Sequence, residues 1–277
     1  MMAEYIEDLS GIRSGQPVRL FGQETEAGKQ TVLTPYFPAE PSGPGCVIIF
    51  PGGGYEHVSL EKEGTKIAAA LNAKGLRAFV LDYHVAPAPR ETILRDAVRA
   101  VRFVRCHAAD TGIDPEKIAV MGFSAGGHLA QMTALYAGEV RTGSDAVSAV
   151  SGKPDALILS YPVVTFTDPY AHTGSRRNFL GTRQENDAEM RLKYSGEKQA
   201  GPGFPPVFLW HCEADTSVPV QNSLMLAEAL ERAGVVHELT VYPGGEHGLG
   251  LAPGYEEISG WFDKAVRWLG ERFGGQR

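Results

Sequence analysis

Long apolar runs, basic clusters and cysteines are all scarce in this chain, and each scarcity excludes something. No stretch of the 277 residues approaches the ~20 consecutive apolar positions that a membrane-spanning helix needs, so no membrane partner is expected. The 33 acidic residues outnumber the 26 Lys and Arg, leaving a formal charge of −7, and no basic run is visible. Nucleic acid is therefore not an expected partner. The opening residues, Met-Met-Ala-Glu-Tyr-Ile-Glu-Asp-Leu, are acidic and lack the apolar core of a secretory signal, which points to a cytoplasmic location. Three cysteines cannot all pair. Cys46 and Cys212 fall on what read as strands and Cys106 on what reads as a helix, so all three are expected as reduced thiols. Metal-ligand spacings are missing too; neither a metal nor another cofactor is expected.

What is present is a chain long enough to bury a sizeable core in a single domain. Residues 1–15 read as poorly structured. Gln16–Phe21 and Thr31–Phe37 read as short strands, a hairpin at a sheet edge. From residue 46 onward strands and helices alternate. Cys46–Phe50 is an apolar run too short for a helix. Glu63–Lys74 is a helix stopped by Gly75, and Leu76–Leu81 is a second buried strand. Glu91–Ala109 has Ile93, Leu94, Ala97, Val98, Val101 and Val104 on one helical face. Further strands follow at Ala156–Ser160, Val207–Trp210 and Glu238–Tyr242, with helices at Ser223–Ala233 and Glu257–Arg272. The alternation predicts an α/β fold with a mainly parallel sheet and helices on both faces. Residues 163–204 read as an irregular insertion, with a short helix near Glu185–Tyr194, over the carboxyl edge of the sheet where ligands bind in such folds.

The stretch that carries chemistry is 117–131. Ile118–Met121 is a buried-strand run, Gly122-Phe123-Ser124-Ala125-Gly126 follows at once, and a helical pattern continues to about Tyr136. Strand, Gly-x-Ser-x-Gly turn and helix make a nucleophile elbow. Side chains at the flanking glycines would collide with the neighbouring strand and helix. The helix beginning at Ala125 aims its N-terminal N–H groups at Ser124, where negative charge develops in acyl transfer.

A serine nucleophile needs a base, a group to orient the base, and oxyanion donors. After the Val207 strand comes His211-Cys212-Glu213-Ala214-Asp215. Asp215 is the expected acid, with Glu213 as the fallback; a turn or N-cap aspartate would look the same in isolation. After the Glu238 strand, Gly244-Gly245-Glu246-His247-Gly248 places His247 as the base, on a loop with glycines on either side. The loop after the first central strand, Gly52-Gly53-Gly54, suits the oxyanion hole. The expected donors are the N–H groups of Gly53, Gly54 and Ala125. Tyr55 and His57 are candidate substrate-binding residues. His128 reads as buried and hydrogen-bonded. His84, His107, His172, His211 and His237 have no catalytic context. Tyr161, Phe166, Tyr170 and Phe179 could form an aromatic rim for a sugar or aryl ring, but core or surface packing is the expected fate of most of them.

With these parts in order, the chain resembles the acetyl xylan esterase-like branch of the α/β-hydrolases. The resemblance rests on Pro51–Ser59, Glu63-Gly64, Ala78–Tyr83, Gly112–Pro115, Gly122–Ala130, Gly174-Ser175, Asn178–Gly181, Val218–Val220 and His247–Leu251, and covers roughly residues 45–270. It implies Ser124, Asp215 and His247 as the triad and hydrolysis of short acyl esters, often acetyl groups on sugars. Two departures stand out: Ala214 where the family often has a first aspartate, and a divergent region 182–203. The expected activity is that of a serine carboxylesterase acting on a small or oligosaccharide ester; a homodimer is compatible with the resemblance. The insertion is short and not strongly apolar, unlike a lipase lid. Two alternatives stay open here. The same triad would serve an amide hydrolase, such as an arylformamidase or small-peptide hydrolase. A non-catalytic ligand-binding protein could also use this scaffold, although such proteins usually lack a triad member.

Overall fold

The chain enters its sheet through three short strands, β1 (Glu4–Tyr5), β2 (Val18–Arg19) and β3 (Val32–Tyr36). Then come β4 (Cys46–Phe50), a π-helical turn (Glu61–Thr65), α1 (Lys66–Ala73), β5 (Arg77–Asp82), α2 (Arg90–Cys106), β6 (Ile118–Phe123) and α3 (Ala125–Tyr136). The second half holds α4 (Ala146–Ala149), β7 (Ala156–Ser160), α5 (Thr173–Leu180), α6 (Ala188–Lys193), α7 (Gly196–Gln199), β8 (Val207–Cys212), α8 (Gln221–Arg232), β9 (His237–Tyr242), α9 (Glu256–Ser259) and α10 (Trp261–Phe273). These elements are those of a computed structural model that describes residues 4–5, 9, 11–21 and 29–274.

Among the described residues nine strands form one sheet in the order β1-β2-β3-β5-β4-β6-β7-β8-β9. From β5 across to β9 every pair is parallel; β3 runs antiparallel to both β2 and β5. The reversal of direction at β4 matters most. The chain steps from β4 to β5 on one side, then returns across β4 to lay down β6 on the other. That is the switch point where the loops after β4 and β6 part and leave room for a ligand. Register places Phe50 beside Gly122, so the glycine loop and the serine elbow leave the sheet side by side.

The central strands are buried on both faces, which is why they read as unbroken apolar runs. Ile48, Phe50, Val120, Leu157 and Leu209 face one layer with Ala97, Val101, Leu129 and Leu226. The alternate residues Val47, Ile49, Met121, Ile158 and Phe208 face the other, with Ile67, Leu71, Trp261 and Trp268. Each such side chain contributes about 1.5–3 kcal/mol by leaving water. Cys46 and Cys212 are buried on β4 and β8, and all three cysteines are free.

Several element boundaries differ from expectation. The strand expected at Gln16–Phe21 shrinks to Val18–Arg19, because Pro17 has no N–H for the ladder. Most of residues 1–15 that the sequence marks as poorly structured lie outside the described residues or in turns; Glu4–Tyr5 pair with β2. The helix expected from Glu63 opens instead as a π-helical turn, with Thr65 N–H bonded to Leu60 C=O. The insertion is not irregular: it carries α5, α6 and α7 rather than one short helix. Among the described residues no helix is long and apolar enough to cross a membrane.

Candidate active site

Ser124 sits between β6 and α3 at φ 52°, ψ −119°, a conformation that costs a non-glycine residue on the order of 1–3 kcal/mol. Its surroundings over-determine it. Ser124 N–H donates to Ser160 C=O at 3.0 Å, and its own carbonyl accepts from the N–H groups of Gly127, His128 and Val163 at 3.0, 3.2 and 3.0 Å. The glycines around it admit no side chain. A Cβ on Gly122 would lie 2.4 Å from Gly126 O, and one on Gly126 would lie 2.1 Å from Phe50 O. The elbow can approach the end of β4 only because that methyl is missing.

Ser124 Oγ–H donates to His247 Nε2 at 2.8 Å, and His247 Nδ1–H donates to Asp215 Oδ2 at 2.6 Å. The three residues come from loops after β6, β8 and β9, all at the carboxyl edge. The Asp215 side chain is buried. Its other oxygen accepts Ser217 and Val218 N–H, both at 2.9 Å. His211 Nε2 lies 3.3 Å from Oδ2 while donating to Val218 C=O at 2.9 Å. Burial pushes the Asp215 carboxyl up, but hydrogen bonds from His211, His247 and Val218 outweigh it and hold the carboxyl well below its ordinary value. Asp215 is thus an anion that keeps the His247 proton on Nδ1 and leaves Nε2 free to accept. Glu213, the fallback acid, is exposed; its N–H bonds Tyr242 C=O, and its side chain makes no hydrogen bond to His247.

The glycine loop leaves β4 with Gly53 at φ 124° and Gly54 at φ 65°, in the region that favours glycine. The N–H groups of Gly53, Gly54 and Ala125 donate to no acceptor among the described residues. Three unpaired donors in one corner, one at the head of α3, are suited to an anion.

A buried carboxylate lies beneath this corner. Glu63 Oε2 accepts Gly52 N–H at 2.8 Å and Oε1 accepts the Tyr161 hydroxyl at 2.7 Å. The Tyr161 oxygen in turn accepts Gly250 N–H at 2.9 Å, and its ring stands edge-on to His247 at 5.0 Å between centroids. Burial first, and the neighbouring Glu63 next, push the Tyr161 hydroxyl well above its ordinary pKa, so it remains a donor. The π-helical turn is what brings Glu63 inward; such turns often occur at functional sites.

The candidate substrate residues divide. Tyr55 is fully buried, which corrects the expectation that it binds substrate. Its hydroxyl donates to His128 Nδ1 at 2.7 Å, and His128 Nε2–H donates to Tyr194 C=O at 2.8 Å. Tyr55 therefore anchors the glycine loop to the elbow helix and, through Tyr194, to the insertion. Burial holds His128 down at about 4, a neutral core histidine as its position on α3 suggests. His57 is exposed on the turn beyond Gly53. Phe166, Phe179 and Tyr161 are core residues, and Tyr170 is partly exposed.

Glu63, His211, Asn178 and His172 are not marked by the sequence reading as parts of this site. Asn178 Nδ2 donates to Gly54 C=O at 2.9 Å, fixing the glycine loop from α5. His172, half-buried, stands over Gly54, its Cε1 3.9 Å from where a Cβ there would project. Only their occurrence within or near motif blocks (Glu63-Gly64, Gly174-Ser175 and Asn178–Gly181) hints at any of them.

A serine, histidine and aspartate in hydrogen-bonded series on a mainly parallel α/β-hydrolase sheet define the class: this is a serine hydrolase. Within that class the chain belongs to the BD-FAE family, whose model matches residues 33–230. The chain is 39% identical over 222 residues to endo-1,4-beta-xylanase B of Butyrivibrio fibrisolvens, covering 78% of this chain and 34% of that protein. It is 30% identical over 236 residues to the acetylxylan esterase of Xylanibacter ruminicola, covering 84% of this chain and 47% of that one. It thus spans about a third and about half the length of these two curated relatives. A crystal structure of an acetyl ester-xyloside bifunctional hydrolase from Caldicellulosiruptor lactoaceticus superposes with a TM-score of 0.86 at 37% identity, over 96% of this chain and 99% of that one.

Proposed function

We propose that this protein is a serine carboxylesterase that removes short acyl groups, acetyl foremost, from a carbohydrate or similar small polar alcohol. The observation that carries the reading is the unbroken series Ser124–His247–Asp215, at 2.8 and 2.6 Å, beside three unpaired backbone donors. The names and substrates of the relatives support the acetyl and sugar parts of it.

The chemistry follows from the geometry. His247 Nε2 takes the Ser124 proton as Oγ attacks the ester carbonyl carbon. The carbonyl oxygen becomes an oxyanion held by the N–H groups of Gly53, Gly54 and Ala125, each such donor contributing about 3 kcal/mol to the transition state. Asp215 stabilises the imidazolium and keeps its orientation. The tetrahedral intermediate collapses, the C–O bond to the alcohol breaks, and His247 returns the proton to the leaving oxygen. Water repeats the sequence on the acyl-enzyme, releasing the carboxylic acid and restoring Ser124.

The test is hydrolysis of p-nitrophenyl acetate and release of acetate from acetylated xylo-oligosaccharide, for wild type and Ser124→Ala at pH 8. Both activities are expected in the wild type and neither in the variant above background. Equal, background-level rates in both proteins would overturn the reading.

A further inference from the structure

The mechanism leaves one ring at the site without a task. His172 is the N-cap of α5, in the insertion. Its Nδ1 accepts Ser175 N–H at 3.1 Å and lies 2.8 Å from Ser175 Oγ. A backbone N–H can only donate, so the Nδ1 lone pair is occupied and the neutral ring carries its proton on Nε2. The ring is half-buried and its Nε2 has no partner among the described residues. Burial first, and the nearby His247 second, hold its pKa below the ordinary value, with Asp215 opposing. His172 is therefore a neutral ring, close enough to feel the base and acid of the triad, carrying one uncommitted N–H.

Its position says which half of the ester it meets. The ester carbonyl oxygen belongs at Gly53, Gly54 and Ala125, and the leaving oxygen must face His247, which protonates it. His172 stands over Gly54 and is near enough to His247 and Asp215 for their charges to act on it, so it borders the space that the leaving alcohol must occupy. Among the described residues, the chain neighbours Gly53 and Tyr55 aside, a Cβ built on Gly54 would meet only the His172 ring within 4 Å, so the space beside the loop there is otherwise open. A sugar ester places a hydroxyl on the carbon next to the one bearing the acyl group. An aryl ester places none.

We propose that His172 Nε2–H donates a hydrogen bond to a hydroxyl oxygen adjacent to the ester on the sugar, and so selects polyhydroxylated alcohols. This rests on the esterase reading above and gives it a specificity-determining residue. A site built around a substrate hydroxyl discriminates against the analogue that lacks it, because its donor is then left unpaired.

The test compares wild type with His172→Asn and His172→Phe. Asparagine can still accept Ser175 N–H and cap α5, but it is too short to present a donor in the cleft; the melting temperature reports whether α5 is intact. Three substrates are assayed: a mono-acetylated methyl xyloside, the same ester with the adjacent hydroxyl removed, and p-nitrophenyl acetate. In the wild type, removing the hydroxyl should lower kcat/KM about 10-fold. In both variants that penalty should vanish, and the ratio of xyloside-ester to aryl-ester kcat/KM should fall by about the same factor. A deoxy penalty that persists in both variants would overturn the proposal while leaving the esterase reading intact, as would losses equal on all three substrates. A wild type inert to all three would overturn the esterase reading, and the role of His172 with it.

Discussion

Glu63 and Tyr161 are 98 residues apart in sequence and 2.7 Å apart in the structure, and their contact joins the two loops that must act together. Through Glu63 it holds Gly52, at the root of the glycine loop; through Tyr161 it holds Gly250, just past His247. A carboxylate can accept from both sides at once. Glutamine cannot: if its oxygen serves Gly52, its amide meets a hydroxyl that is itself a donor. Glu63→Gln should therefore lower kcat for p-nitrophenyl acetate about 10-fold with little change in KM, since one buried donor is left unsatisfied at a cost of about 1–3 kcal/mol. Steady-state kinetics check this; a kcat within twofold of wild type would show that the link does not position the site.

The closeness of the elbow to β4 gives a sharper contrast. Gly126→Ala would set a methyl 2.1 Å from Phe50 O and 2.5 Å from Pro51 O, both backbone atoms that cannot swing away. Gly138, just past α3, has nothing within 4 Å of its added Cβ. Gly126→Ala should abolish activity and cost about 3 kcal/mol or more of stability, while Gly138→Ala should stay within about 0.5 kcal/mol of wild type. Urea unfolding of the two variants side by side decides it.

His128 makes the fold acid-sensitive. Its folded-state pKa is held at about 4 by burial, against an ordinary 6.5. Between those values the unfolded chain binds a proton that the folded chain refuses, so stability falls as pH falls from 6.5 to 4. The full effect is on the order of 3 kcal/mol. His128→Gln should be less stable at neutral pH, having lost its bonds to Tyr55 and Tyr194, but its stability should decline less steeply over this range. Parallel profiles for the two proteins, measured by urea midpoint at half-unit pH steps, would assign the acid sensitivity elsewhere.

How much of this could be read in advance depends on the range of each interaction. The elbow, the glycine loop and the loops carrying Asp215 and His247 are legible because short motifs follow each apolar strand, in an order that the chemistry demands. The parallel sheet is legible because its central strands are buried on both faces. Glu63 is hidden, since an acidic residue in a helical stretch looks like a solvated face until the π-helical turn rotates it inward. Tyr55 is misplaced for the converse reason: a tyrosine beside an oxyanion loop suggests a wall, and only the partner 73 residues away, His128, shows that it points into the core. Of the insertion's helices α6 falls within the short helix expected near Glu185–Tyr194, while α5 is missed because it has a weakly patterned face and a histidine cap. His172 acquires its meaning from Gly54 and His247, neither of which is its neighbour in sequence.

The insertion touches the site at several points: Val163 N–H donates to Ser124 C=O, and two further contacts end on backbone carbonyls. Asn178 reaches Gly54 C=O, and His128 reaches Tyr194 C=O. A carbonyl is supplied by any residue, so the contact at Tyr194 demands a chain path and not a side chain, whereas the contact at Gly54 demands a side-chain donor from α5. The segment 163–204 is in that sense exchangeable. A transplanted segment that returns a backbone N–H to Ser124 C=O, one donor to Gly54 and one carbonyl to His128 should seat on this scaffold and bring its own substrate preference with it, while the Ser124, His247 and Asp215 geometry beneath stays as it is.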